Sequence, residues 1–326
     1  MARREVIDAT TLAWVRDCTG ASDVYAPAFL QRLWAGYGAI HRVHLDGAPY
    51  GSAIVKVVTP PLDASHPRGW GTDRSDARKR RSYEVECAWY RTYASRCAGC
   101  RVPRCYAAEA FEGGWRILLE DLDAAGFAGR RGRFVDADVE VCLDWLAAFH
   151  ATFVGVAPEG LWPVGTYWHL ATRPDELLVT EDPRLAAAAE AIDARLSSAR
   201  FTTFVHGDAK LANFCFGEAG VAAVDFQYVG GGCGMKDVAY FLGGAARTDS
   251  LEKNADAWLD RYFATLRRHL DPAVDADALE AEWRTLYPFA WADFNRFLSG
   301  WAPGHEKLEP YGARLTEQVL QELRVR

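Results

Sequence analysis

The segment from Phe204 to Gln227 constrains this chain more than any other. It reads Phe204-Val205-His206-Gly207-Asp208-Ala209-Lys210-Leu211-Ala212-Asn213-Phe214-Cys215-Phe216, then Gly217-Glu218-Ala219-Gly220, then Val221-Ala222-Ala223-Val224-Asp225-Phe226-Gln227. Two β-prone runs flank a short stretch with good turn chemistry, so residues 213–216 and 221–224 are expected to pair as an antiparallel hairpin. Paired strands lie about 5 Å apart, which sets Asn213 at one strand end beside Asp225 at the other. Two oxygen-bearing side chains so placed suit a hard cation such as Mg²⁺, which takes few protein ligands and leaves positions for phosphate oxygens and water. Asp208 stands on the loop entering the hairpin, where it is placed to orient a hydroxyl.

The rest of the chain divides around this segment. Val43-His44-Leu45 runs into the turn dipeptide Asp46-Gly47, and Ser52 to Val58 is β-rich. Thr59 to Asp76, with its prolines and glycines, is expected to be a loop. Ser82 to Cys97 is expected to be a helix, with Tyr83, Cys87, Tyr90 and Tyr93 or Ala94 on one face. Trp115 to Leu119 reads as another strand, and the Gly- and Arg-rich stretch Ala124 to Arg133 is the best boundary. Beyond it, Val139, Cys142, Leu146, Phe149 and Phe153 step by three and four, and Ala186–Ala194 and Leu251–Leu270 also read as helices. A small sheet with one or two helices thus precedes a mainly helical half, and 326 residues suffice for two lobes.

Composition narrows the function. The 37 basic and 44 acidic side chains give a net charge of -7 with no long basic stripe, which argues against nucleic acid as the main partner. No apolar run approaches a membrane span, and the N-terminus meets an acid before any stretch suited to a signal peptide, so a cytoplasmic protein is expected. The eight cysteines are then expected to be free thiols. Cys97, Cys100 and Cys105 lack the fourth ligand that a structural zinc needs.

His206-Gly207-Asp208-Ala209-Lys210-Leu211-Ala212-Asn213 with Val224-Asp225-Phe226 resembles the catalytic loop and metal-binding aspartate of the protein-kinase-like superfamily. The Gly after His is the pattern of its small-molecule branch, the aminoglycoside phosphotransferase, choline kinase and ecdysteroid kinase-like enzymes. The resemblance implies a bilobal α+β fold, with a small antiparallel-sheet N-lobe over residues 1–122 and an α-rich C-lobe over 123–326. It implies ATP and Mg²⁺, Asp208 as the catalytic base, Asn213 and Asp225 as metal ligands, and His206 as a scaffold residue. Lys210 stands where protein kinases place a lysine near the transferred phosphate, whereas many antibiotic kinases have His there. Lys56 resembles the nucleotide-phosphate lysine. Its helix partner is Glu86 or Glu84, and Glu86 is preferred because it precedes the pair Trp89-Tyr90. Leu118-Leu119-Glu120-Asp121-Leu122 looks like the hinge, with Glu120 and Leu122 offering backbone to adenine, and Gly36-Tyr37-Gly38 like a phosphate-covering turn. Asp237 resembles the buried aspartate that braces the catalytic loop.

The expected reaction moves the γ-phosphoryl group of ATP to a hydroxyl of a small molecule, with no obligate protein partner. Arg78-Lys79-Arg80-Arg81 is expected to be a solvated helix entry rather than a phosphate patch. Trp283, Tyr287, Phe289, Trp291, Phe294, Phe297 and Trp301, with Asp293 the sole acid between Trp283 and Trp301, either wall the acceptor site or pack the core. As a wall they suit a neutral or amphipathic alcohol. The alternatives are an aminoglycoside or other antibiotic kinase, a metal-dependent phosphohydrolase with His206, Asp208 and Asp225 as ligands, and a nucleotide-binding pseudokinase.

Overall fold

The computed structural model describes residues 6–61, 73–131, 135–304 and 310–325. Helix α1 (Ala9–Thr19) starts at Asp8, whose carboxylate accepts the Thr11 N–H at 2.6 Å, and stops at Gly20, which takes a left-handed φ of 69°. Strands β1 (Asp23–Arg32), β2 (Gly38–Asp46) and β3 (Ser52–Val58) follow, then helix α2 (Asp73–Thr92) and strands β4 (Cys105–Phe111) and β5 (Gly114–Glu120). The five strands form one antiparallel sheet in the order β1-β2-β3-β5-β4. Period-two alternation sorts its faces. Val43, Leu45, Ala53, Val55 and Leu118 pack with Trp14 and Val15 of α1, whereas Ile40, Ile54 and Lys56 face a cleft on the other side.

The second half runs α3 (Asp136–Phe153), α4 (Pro174–Leu178), α5 (Pro183–Ser197), β6 (Thr203–Val205), β7 (Phe214–Gly217), β8 (Gly220–Ala223), β9 (Gly230–Gly232), α6 (Met235–Ala245), α7 (Thr248–His269), α8 (Ala276–Trp301) and α9 (Pro310–Glu322). The α3 face of Val139, Cys142, Leu146, Phe149 and Phe153 is buried, as its spacing requires. Aromatic side chains join this core to α2: Trp89 stacks on Phe226 at 4.5 Å, and Phe153 on Phe204 at 4.6 Å. The result is a bilobal α+β architecture with the antiparallel sheet first and the helices after. The eight cysteines are free thiols. Among the described residues no helix is long and apolar enough to cross a membrane.

Four expectations need correction. Helix α2 spans Asp73–Thr92, not Ser82–Cys97, so its first turn occupies the end of the segment expected as loop; residues 62–72 lie outside the described residues. The helix start escapes apolar periodicity because its contacts are polar. Asp76 accepts from the Tyr37 hydroxyl and from Arg80 Nε at 2.6 Å, and Arg78 Nη1 donates to the Thr172 carbonyl at 2.9 Å. For the same reason Arg78–Arg81 is half-buried rather than solvated, and Arg78 and Lys79 face the cleft. Strand β1, lying before the expected start of the sheet, is an almost fully exposed edge with two register shifts, so it carries no alternation. Finally, Trp283, Tyr287, Phe289, Trp291 and Phe297 pack as core, and only Phe294 and Trp301 of the expected wall line the cleft. Asp293 is buried against Arg296 at 2.7 Å and Lys236 at 3.3 Å, which hold its carboxyl down at about 2 against the opposing effect of burial.

Candidate active site

A cleft of about 1010 Å³ opens between the sheet and the helical half. Strand β3 brings Lys56 into it from above, where α2 supplies the partner. Lys56 Nζ lies 2.9 and 2.7 Å from the two oxygens of Glu86, and 3.5 Å from Asp225 Oδ1. Glu84 faces outward and pairs with Arg81 at 3.1 Å. Burial alone would push the Lys56 ammonium down, but Glu86 and Asp225 outweigh it and hold the pKa above the usual value.

The hairpin β7–β8 forms the floor. Phe214 pairs with Ala223, and the Val224 N–H donates to the Asn213 carbonyl at 3.0 Å, so Asn213 and Asp225 stand at adjacent strand ends. Asp225 is bent into the left-handed region at φ 69°, where a non-glycine residue is strained. Burial raises its pKa, but Lys56, Lys79 and Lys210 together hold it at about 2. Gln227 Nε2 donates to Asp225 Oδ1 at 2.6 Å, and Lys79 Nζ donates to Gln227 Oε1 at 2.7 Å while lying 4.8 Å from the Tyr83 ring centroid. Lys79 and Gln227 were not foreseen.

Asp208 sits on the loop between β6 and the 3₁₀ turn Leu211–Asn213. Its Oδ1 accepts from the Tyr240 hydroxyl at 2.8 Å, and its Oδ2 from Lys210 Nζ at 2.8 Å and Asn213 Nδ2 at 3.2 Å. The loop is pinned from behind: Asp237, fully buried, accepts the backbone N–H of His206 and, at 2.9 Å, that of Gly207. His206 Nε2 bonds the Val224 carbonyl at 3.0 Å and its ring lies 4.6 Å from Phe226, tying loop to hairpin. Gly207 is required here, since φ is +78° and a Cβ would lie 2.2 Å from the Tyr228 carbonyl oxygen.

The donor set fits a hard divalent cation. With its amide nitrogen bonded to Asp208, Asn213 retains its side-chain oxygen as acceptor beside the ionised Asp225 carboxylate. Among the described residues no group of three or more His, Cys, Asp or Glu side chains forms a full metal cage. Two oxygen ligands and open positions are what a phosphate-bridged ion uses.

Leu119, Glu120 and Leu122 line the cleft with Ile40, Ile54, Pro103, Cys215 and Val224, a mostly apolar slot whose lining also includes Arg42, Asp121 and Asp123. The Glu120 carboxylate faces away from this use, accepting from Arg101 at 2.6 Å and from the Arg104 N–H at 3.0 Å. Gly36 lies in the β1–β2 turn and Gly38 opens β2, and neither lines the cleft itself; Leu33, Trp34, Ala35 and Tyr37 of the turn do. Gly38 is needed for close approach, as a Cβ there would lie 2.1 Å from the Val57 carbonyl oxygen.

The sequence model of the ecdysteroid kinase-like family matches residues 183–273, the stretch that holds Asp208, Asn213 and Asp225. A comparison with curated proteins by sequence found no match. Among solved structures the chain is similar to an amicoumacin kinase in complex with AMP-PNP, Ca²⁺ and Ami, at TM-score 0.56 and 15% identity, covering 97% of this chain and 93% of that one. It is also similar to a microcompartment-associated aminopropanol kinase, at TM-score 0.52 and 16% identity, covering 98% and 99%. The chain has the fold of the small-molecule kinases. The resemblance carried by the His206–Asn213 loop therefore extends to the architecture of the whole chain.

Three further residues line the cleft, of which the sequence marks only Tyr167, as part of the aromatic-rich stretch Tyr167-Trp168-His169-Leu170. Tyr240, on α6, holds Asp208 through its hydroxyl. Tyr167 and Arg173, before α4, line the end of the cleft next to Trp301. Tyr240 also carries a signal, three residues after Asp237 on the same helix face, whereas Arg173 carries none.

Proposed function

We propose that this chain is an ATP- and Mg²⁺-dependent phosphotransferase that moves the γ-phosphoryl group to a hydroxyl of an amphipathic small molecule. The observation that carries this reading is the meeting of Lys56–Glu86, Asp208, Asn213 and Asp225 in one cleft that includes a mostly apolar slot. The nucleotide reading draws support from the similar amicoumacin kinase, whose complex contains AMP-PNP and Ca²⁺. In this reading the lobes divide after Leu122, and the backbone of Glu120 to Leu122 meets the adenine.

Asn213 and Asp225 would hold Mg²⁺, which supplies charge neutralisation across the phosphates. Lys56, fixed by Glu86, neutralises phosphate charge from above. Asp208 orients the acceptor hydroxyl and takes its proton late, as the new P–O bond forms and the bond to the ADP oxygen breaks. Tyr240 and Lys210 fix the Asp208 carboxylate, so most of the acceleration comes from positioning and electrostatics. Lys79, half-buried beside Gln227 and Asp225, adds positive charge where the phosphoryl group travels.

The competing readings fare worse. His206 is fully buried with Nε2 bonded to a backbone carbonyl, so it does not serve as a hydrolase metal ligand. A polycationic aminoglycoside needs converging carboxylates, yet Asp293 is spent on Arg296 and Lys236, and Asp76 on Tyr37 and Arg80. Titration with AMP-PNP in the presence and absence of Mg²⁺, followed by ADP release across a panel of alcohols, tests the proposal. Mg²⁺-strengthened binding and alcohol-dependent ADP release are expected; a chain that binds no nucleotide contradicts it.

A further inference from the structure

We propose that the acceptor carries an anionic group, a carboxylate or a phosphate, held by Arg78 and Arg173. This rests on the phosphotransferase reading and adds the charge of the acceptor to it. Arg78 comes from α2 and Arg173 from the turn before α4, and both line the cleft beside Tyr167, Tyr228 and Trp301. Arg173 donates from Nε to the Tyr167 carbonyl and from Nη1 to Glu176 Oε1, each at 2.9 Å, and its guanidinium lies over the Tyr167 and Phe297 rings at 5.9 and 5.6 Å. Arg78 donates from Nη1 to the Thr172 carbonyl at 2.9 Å and from Nη2 to Ser75 Oγ at 3.4 Å, and it makes no ion pair among the described residues. Of the two half-buried guanidiniums, only Arg173 thus has a carboxylate partner, Glu176. Burial and the like charge of Arg173 push the Arg78 guanidinium below its usual pKa, the cost of leaving the pair without an anion. A carboxylate or phosphate would remove that cost, since its oxygens match the planar fork of a guanidinium.

The γ-phosphate of ATP is not this anion. Lys56, Lys79 and Lys210 already surround Asp225 and Asp208, where the phosphates would lie. The arginines sit farther along: Arg173 covers Tyr167, Tyr167 packs on Tyr240 at 5.7 Å, and Tyr240 bonds Asp208. A molecule with its hydroxyl at Asp208 reaches the arginines across the aromatic faces of Tyr240 and Tyr167. Its chemistry is therefore a hydroxyl, an apolar or aromatic body, and an anion at the other end.

The test uses the full chain loaded with Mg²⁺ and ADP, titrated with para-hydroxymethylbenzoate, with its neutral amide, with the amine para-aminomethylbenzyl alcohol, and with para-hydroxymethylphenyl phosphate. The benzoate or the phenyl phosphate is expected to bind at least about tenfold more tightly than the amide and the amine, with the better of the two telling carboxylate from phosphate. Arg78→Gln should erase that preference while leaving the affinity for ADP within about twofold, which also shows that the variant is folded. Arg173→Lys, which keeps a charge for Glu176, should weaken only the anionic probes. In ADP-release assays the same loss should appear in KM rather than kcat. Equal or tighter binding of the amide or the amine to wild type overturns the proposal, as does an Arg78→Gln variant that keeps the preference. Failure to bind ADP at all would instead overturn the phosphotransferase reading.

Discussion

The two ends of the cleft are built differently. On the nucleotide side the charges are already paired within the protein: Lys56 with Glu86 and Asp225, and Arg42 with Asp121 at 2.7 Å, while Ser52 donates to the same aspartate at 2.8 Å. On the acceptor side Arg78 donates to the neutral carbonyl oxygen of Thr172, and one carboxylate, Glu176, serves Arg173. The first end is fixed before any ligand arrives. The second leaves Arg78 with neutral partners alone among the described residues, in a lining that includes Tyr167 and Trp301. In the proposed function the contrast separates a rigid grip on a nucleotide from an open choice of acceptor.

Breaking the nucleotide side should have the largest effect. Glu86→Ala leaves the Lys56 ammonium buried with only the more distant Asp225, and removal of one partner from a buried pair costs about 3–5 kcal/mol. Urea unfolding should show this, with loss of nucleotide binding; a change within about 1 kcal/mol would mean the pair is not holding the lobe together. Asp208→Asn should lower turnover by about 10²-fold or more while nucleotide binding stays intact, because the amide keeps the shape but cannot accept the proton. Steady-state ADP release with the best acceptor reads it.

The helical core behind the cleft has its own anchor, and pH probes it. Asp293, buried between Lys236 and Arg296 and accepting from Trp168 Nε1 at 3.2 Å, has its pKa lowered from 3.8 to about 2. A carboxyl lowered in the folded state contributes stability that is fully present above its unfolded value and is lost as pH falls through the folded one. The contribution, on the order of 2 kcal/mol, should therefore fade between about pH 4 and pH 2. Unfolding of wild type and Asp293→Asn across that window should converge toward low pH, and parallel curves would remove Asp293 as the anchor. The smallest effect is expected at Glu84→Gln, a half-exposed pair with Arg81, worth under about 1 kcal/mol and silent in nucleotide affinity. An effect there as large as at Glu86 would erase the distinction between the two carboxylates.

The same contrast explains what the sequence disclosed. The hairpin, the strand of Lys56 and the long helix α3 follow from turn chemistry and apolar spacing, which are local properties of the chain. Asp208, Asn213 and Asp225 lie within one continuous segment, so their nearness needs only the hairpin to form. The acceptor side joins the charged start of α2, the turn at Tyr167 to Arg173 and the end of α8, three stretches whose meeting depends on tertiary packing. Arg78 and Lys79 read as a solvated charge run because their partners, the Thr172 carbonyl and Gln227, are distant in sequence and not charged. The aromatics of α8 likewise have helical spacing on every face, and a helix buried nearly all round cannot show which side meets the cleft.

The central claim is transfer of a phosphoryl group from ATP to an alcohol under control of Asp208. Following the label from γ-labelled ATP by mass spectrometry, with Mg²⁺ and an acceptor that releases ADP, tests it most directly in wild type and Asp208→Asn. Label on the alcohol oxygen in equal amount to ADP, nearly absent in the variant, is the predicted result. Label found only as free phosphate, or transferred equally well by Asp208→Asn, would contradict the account.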